Sequence, residues 1–183
     1  MENDLNNGNT GSTGKRPILT GMFADRESTE NAYNALHERG YAKDDINLLM
    51  SDETRKKHYA NENDHSELGT KAAETAGTGS AIGGTIGAIA GVVAAIGTSV
   101  AIPGLGLIIA GPLAAVLAGA GAGGIAGGLI GALVGSGIPE DRAKIYESGI
   151  KDGHVVLGVH PKNDDDADYL EQNWKSSGKD VYR

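Results

Sequence analysis

One stretch of 65 residues, from 75 to 139, constrains the fold of this chain more than any other feature. All of the charged side chains, 16 basic and 24 acidic, lie outside this stretch, and 19 of the 29 glycines lie inside it. Soluble monomers rarely expose a contiguous apolar patch larger than a few hundred Å². A charge-free segment of this length must therefore be covered, and what covers it decides what the chain can do.

Two series of glycines recur within this stretch at a spacing of four residues. The self-association residues that this spacing predicts are Gly79, Gly83, Gly87, Gly91, Gly119, Gly123, Gly127, Gly131 and Gly135. Because four residues make slightly more than one helical turn, each series forms a smooth groove that lets another helix approach closely. Helix breakers at 98–106 and 111–112 separate the two series. Residues 75–138 are therefore predicted to form a glycine-zipper helical hairpin with arms of about 25 residues, each about 38 Å long.

The sequence is compatible with two ways of covering this hairpin, by lipid or by other copies of the hairpin. Arms of about 38 Å are long enough to cross a bilayer core of about 30 Å. However, no aromatic residue lies between Tyr59 and Tyr146, and the flanking charges are balanced, so the aromatic belt and the orientation signal of membrane helices are missing. Other copies of the hairpin could cover the same surface without lipid. A lone water-soluble monomer is the least favoured outcome.

The charged flanks predict one α+β domain that the hairpin interrupts. Its first half, residues 17–53, contains a strand at 18–23, a helix capped by Asp25 and closed by Gly40, and a half-buried strand at 46–50. Its second half, residues 139–183, has a helix opened by Pro139, a strand at 154–160, a helix capped by Asn163 and a strand at 180–182. This order matches a ferredoxin-like split β-α-β domain with helices on one face of the sheet. Residues 54–74 are predicted to be a polar linker that becomes helical near residue 66.

The remaining composition excludes several classes of protein. A net charge of −8 with scattered basic residues argues against nucleic-acid binding, and the absence of cysteine excludes disulfides and thiolate metal sites. Residues 1–16 are rich in Asn, Gly, Ser and Thr, which predicts a disordered tail rather than a secretory signal. We therefore expect a cytoplasmic protein, with membrane association if the hairpin inserts.

No pattern predicts a catalytic, metal or cofactor site. Gly119, Gly121 and Gly124 satisfy the dinucleotide-binding pattern GxGxxG, but the fourfold spacing places them inside a helix rather than after a strand. His154 and His160 lie about 20 Å apart on one predicted strand, too far to share a metal ion. The acidic run at 164–168 is interpreted as the first turn of a helix, and the basic run at 55–57 as a solvated loop rather than a lipid-binding patch.

Several segments of the chain resemble the bacterial heat-induced general stress protein family (YflT-like). The resemblance covers roughly residues 17–183 and is carried by the strand and helix at 18–40, INLLMSDE at 46–53, GTKAAE at 69–74, GIPE at 137–140, YESG at 146–149 and VVL at 155–157. It implies a bacterial protein that accumulates under heat, cold, osmotic or desiccation stress. It implies no catalytic activity, cofactor or binding residues.

Together these features predict a non-enzymatic stress-response protein that forms homo-oligomers through its hairpin, with further copies of itself as the partner. The acidic domains would stay in water outside the assembly. The alternative is a membrane-inserted hairpin that stabilises or permeabilises the bilayer under stress, with the ferredoxin-like domain in the cytoplasm.

Overall fold

The computed structural model describes residues 16–59, 100–102, 106–119 and 128–183. The strands in these ranges are β1 (Leu19–Phe23), β2 (Ile46–Ser51), β3 (Val100–Ile102), β4 (Leu107–Ala110), β5 (Val155–Val159) and β6 (Lys179–Tyr182). The α-helices are α1 (Arg26–Glu38), α2 (Asp52–His58), α3 (Pro112–Gly119), α4 (Gly128–Gly135), α5 (Glu140–Lys151) and α6 (Asp164–Ser177). A short 3-10 helix, Lys43–Asp45, precedes β2.

All six strands form one sheet in the order β3-β4-β2-β5-β1-β6. Every neighbouring pair is antiparallel, and β5 lies between β1 and β2, with Leu157 opposite both Gly21 and Leu48. The chain is therefore an α+β protein, as its flanks predict.

Helices cover both faces of the sheet. One face packs against α1 and α6, where Leu36, Leu170 and Trp174 are buried. The other face packs against α3, α4 and α5. The prediction of helices on one face is wrong, because α5 and the two short helices of the charge-free stretch cover the second face. For the same reason β2 buries Leu49 on one face as well as Leu48 and Met50 on the other, and is not the half-buried strand that its alternation predicts.

The helix boundaries in the flanks follow the predicted capping residues. The Asp25 carboxylate accepts a hydrogen bond from the Ser28 amide at 2.8 Å, and the Asn163 side chain accepts one from the Asp166 amide at 2.7 Å. Gly40 closes α1 with φ of +74°, the left-handed conformation that favours glycine. Pro139 is the N-cap of α5 rather than its first residue, one position from the prediction.

The predicted loop after β2 is instead helix α2. Ser51 caps it by accepting a hydrogen bond from the Thr54 amide at 3.0 Å. Asp52, at the positive end of the helix, pairs with Arg55 at 3.0 Å and with Lys56 at 2.6 Å. The basic run is therefore not a solvated loop, since its charges lie in the last turn of α2, where they complement the helix dipole.

The segment predicted to separate the two hairpin arms contains two strands that the helix breakers do not predict. Strands β3 and β4 occupy 100–102 and 107–110, and β4 pairs with β2 so that Leu48 lies opposite Ala110. The pairing satisfies backbone groups that would otherwise be left open along the edge of β2. The second arm is not one continuous helix either, because Gly128 opens α4 with φ of +59°, outside the helical region. The first arm, 75–97, lies outside the described residues.

Candidate self-association surface

Helix α3 is held on the sheet by a close approach of backbone and by one buried side chain. Gly111 precedes it with φ of +90°, and a Cβ there would lie 2.1 Å from the Ile46 carbonyl oxygen, so only glycine fits. The buried Asn47 amide oxygen accepts a hydrogen bond from the Leu113 amide at 2.7 Å, and its nitrogen donates to the Gly158 carbonyl at 3.3 Å. Asn47 thereby caps the first turn of α3 and fixes it to two strands.

Helix α4 buries one side and ends at a defined turn. Leu129, Ala132 and Leu133 are buried, in the same cluster as the α3 residue Leu113. After the helix, the Ile138 amide donates to the Leu133 carbonyl at 3.0 Å, which closes the last turn before α5 begins. Both short helices are therefore anchored on the sheet, and their opposite sides are fixed in place.

The outer sides of α3 and α4 form an exposed surface without charge. Its residues, which we call the apolar surface, are Ala115, Val116, Gly131, Val134 and Gly135. Val116 and Val134 are 51% and 43% exposed, the two highest values among the large exposed hydrophobic side chains of the described residues. A Cβ added at Gly131 or at Gly135 would meet no atom within 4 Å, so the backbone of α4 is open there to an approaching helix.

The structure places three of the nine predicted self-association glycines. Gly131 and Gly135 lie one turn apart on the exposed side of α4, and Gly119 is the last residue of α3. The other six lie outside the described residues: Gly79, Gly83, Gly87, Gly91, Gly123 and Gly127. Val116 and Val134 were not predicted as surface residues. Their signal in the sequence is weak, since a valine among glycines and alanines is equally compatible with a buried side.

The other sequence patterns do not converge on a chemical site. Gly119 ends a helix rather than following a strand, and Gly121 and Gly124 are not among the described residues. His154 and His160 lie just beyond the two ends of β5. In the described part of the chain, no three His, Cys, Asp or Glu side chains are grouped so that they could hold a metal ion.

The acidic run at 164–168 forms structural contacts, and Asp166 is its buried member. Its carboxylate accepts hydrogen bonds from the Arg39 guanidinium at 2.9 Å and from the Tyr41 hydroxyl at 3.0 Å. Burial, together with the hydrogen bond to Asp166, raises the pKa of Tyr41. The acid thus joins the end of α1 to the start of α6, which agrees with its interpretation as a first helical turn.

The comparisons with known proteins add no relative. No family model, no curated protein and no solved structure matches this chain. In the ranges that the structure describes, no helix combines the length and the apolar character that a bilayer crossing requires. The resemblance to the general stress protein family therefore stays a prediction.

Proposed function

We propose that this chain is a non-enzymatic stress-response protein that assembles with copies of itself through the apolar surface. The observation that carries the proposal is the pair of half-exposed valines, Val116 and Val134, beside the open glycines of α4. Fully burying an exposed valine contributes about 1.5 kcal/mol, so covering the half of each side chain that is still exposed contributes roughly 0.7 kcal/mol per valine. The part played in stress rests on the sequence resemblance.

A second copy suits this surface better than a charged or polar partner. Gly131 and Gly135 allow the backbone of a partner helix to come close, while Val134 between them supplies the contact area. The surface is presented by helices whose other sides are already buried, so little conformational entropy is lost when a partner docks.

We also propose that β1, β2, β5 and β6 with α1 and α6 form a ferredoxin-like split β-α-β unit. The spatial order β2-β5-β1-β6, antiparallel throughout, supports it, as does the packing of both helices on one face. In this view β3, β4, α3 and α4 are additions that extend the sheet and cover its second face. The acidic side of the unit would remain in water.

The proposal is tested by the mass of the full chain in detergent-free buffer, measured by light scattering after gel filtration. Val134→Asp buries a charge at the interface and should weaken association by about 100-fold, leaving mostly single chains. Ile145→Asp is the matched control, because Ile145 is an aliphatic residue of similar exposure, 37%, on α5 rather than α4. An oligomer that withstands Val134→Asp, or one lost equally in both variants, would refute the apolar surface as the interface.

Membrane insertion is the outcome to be separated from self-assembly. Vesicles of phosphatidylglycerol added to the same samples would carry the chain down on sedimentation if lipid covers the surface. A sharp oligomer peak without sedimentation supports assembly between copies. Single chains that sediment with vesicles would replace the proposal with the membrane alternative.

A further inference from the structure

A cavity of about 370 Å³ lies between the sheet and helices α3 and α4. Its lining includes Arg16, Ile18, Asn47, Leu113, Ser136 and His160, which come from five separate parts of the chain. The volume falls within the range of small-molecule sites, roughly 300 to 1,000 Å³. None of the sequence patterns predicts it, because its walls are assembled only by the fold.

The inner wall of the cavity is apolar and rigid. Ile18 and Leu113 are buried, and both belong to the core cluster beneath α3 and α4. The one buried polar side chain in the wall, Asn47, has both ends of its amide occupied by the Leu113 amide and the Gly158 carbonyl. The interior thus offers contact to an aliphatic chain, and each polar atom of this amide already has a protein partner.

The rim of the cavity carries a positive charge. Arg16 has a side chain that is 43% exposed, and it donates to the Lys162 carbonyl at 2.7 Å and to Asp164 at 3.3 Å. A guanidinium has five N–H donors, so about three stay available after these two bonds. Asp164 is also within 3.6 Å of Arg183, so Arg16 is not its only cation.

His160 positions this arginine. Its Nδ1 lies 3.0 Å from the Arg16 carbonyl oxygen, which can only accept, so this nitrogen donates the hydrogen bond. The bond holds the backbone of Arg16 in the segment before β1, where both residues line the cavity. None of the lining residues is acidic, and the one carboxylate that pairs with Arg16, that of Asp164, lies outside the lining and would compete with a bound anion.

We propose that this cavity binds a small aliphatic carboxylate, with the chain against Ile18 and Leu113 and the carboxylate on Arg16. An apolar interior with one cationic group at the rim is complementary to such an acid. A neutral alcohol of the same length would lose the ion pair, and an amine would be repelled. The inference goes beyond self-association, but the cavity and the apolar surface share Val116 and Gly135, so a second copy on that surface would cover part of the lining.

The test uses the full chain and isothermal titration calorimetry, with octanoate as the probe and octanol and octylamine as comparisons. We expect saturable binding of octanoate below about 5 mM, with octanol at least about tenfold weaker and octylamine undetected. No octanoate binding, or equal binding of octanoate and octanol, would overturn the proposal.

Two matched pairs of variants locate the site. Arg16→Ala should weaken octanoate binding by about tenfold, whereas Arg183→Ala removes a charge near the same aspartate but not from the cavity and should leave binding unchanged. Gly135→Leu fills the cavity and should abolish binding, whereas Gly131→Leu lies one turn away, outside the lining. Binding that survives Gly135→Leu would exclude this cavity.

The same glycine pair separates this proposal from self-association. Both leucines stand on the apolar surface, so both should alter the oligomer, but only Gly135→Leu should remove octanoate binding. Octanoate bound by single chains would leave this inference intact while the oligomer proposal failed. Phosphatidylglycerol vesicles carry a phosphodiester and no carboxylate, so sedimentation with these vesicles that octanoate displaces would overturn the carboxylate in favour of an anionic lipid headgroup.

Discussion

Replacing Gly111 with alanine tests whether the charge-free stretch is an integral part of this domain. Gly111 stands between β4 and α3 with φ of +90°, and its added Cβ would lie 2.1 Å from the Ile46 carbonyl oxygen on β2. Forcing an alanine into a left-handed conformation costs about 1–2 kcal/mol, and relieving the overlap with backbone costs about 1–3 kcal/mol. The less flexible unfolded chain offsets about 0.4–1 kcal/mol of this. We expect the free energy of unfolding to fall by about 2–4 kcal/mol.

Two other glycines of the same stretch separate the cost of the backbone conformation from the cost of the overlap with β2. Gly106 has φ of +60° but open space around its Cβ position, so Gly106→Ala should cost only about 0.5–1 kcal/mol. Gly131 is helical and also open, so Gly131→Ala should stabilise the protein by about 0.5–1 kcal/mol. From the most to the least stable, the expected order is therefore Gly131→Ala, the unchanged protein, Gly106→Ala and Gly111→Ala.

The measurement is equilibrium unfolding in urea, followed by far-UV circular dichroism and by the fluorescence of the buried Trp174. Trp174 lies on the opposite face of the sheet from α3, so a shift of its transition reports that the whole sheet is coupled to the Gly111 turn. If Gly111→Ala proves no more destabilising than Gly106→Ala, the close approach of the two backbones is refuted. If only the dichroism shifts, β4 and α3 unfold independently of the rest.

Two further predictions concern the buried ion pair and the buried tyrosines. Asp166→Asn should lower the free energy of unfolding in urea by about 2 kcal/mol, because it leaves the partly buried Arg39 without its buried partner. Asp168→Asn removes a more exposed pair and should lower it by about 0.5 kcal/mol or less. Equal costs would contradict this. Burial, reinforced by a nearby carboxylate, raises the pKa of Tyr33 and Tyr59 to about 12. Tyrosine in the unfolded chain ionises near pH 10. The contribution of these two tyrosines to the free energy of unfolding is therefore fully present below about pH 10 and is lost as the pH rises towards about 12. Tyrosinate absorbance should show a late step that Tyr33→Phe and Tyr59→Phe reduce, and a single step for all six tyrosines near pH 10 would refute it.

Local signals explain why the flanks could be predicted from sequence. Caps such as Asp25 and Asn163 act within one helical turn, and Gly40 meets a backbone requirement that few other residues tolerate. The polar-linker prediction does not include helix α2, although Ser51 and the two acids after it form a helix-capping signal. The solvated-loop interpretation of 55–57 rests on its charge, whereas the pairs that Arg55 and Lys56 form with Asp52 are spaced by three and four residues, as a helix requires.

The sequence by itself determined the α+β class, the helix ends and the presence of one stretch that must be covered. Only the tertiary structure decided how its described parts are covered, since β4 pairs with β2 while α3 and α4 pack on the second face of the sheet. Short apolar runs have no period that distinguishes a buried strand from a buried helix. The elements that pack against such a run therefore determine which of the two it forms. The cavity was also decided by the tertiary structure alone, because Arg16 and Ser136 are brought together by contacts between elements far apart along the chain.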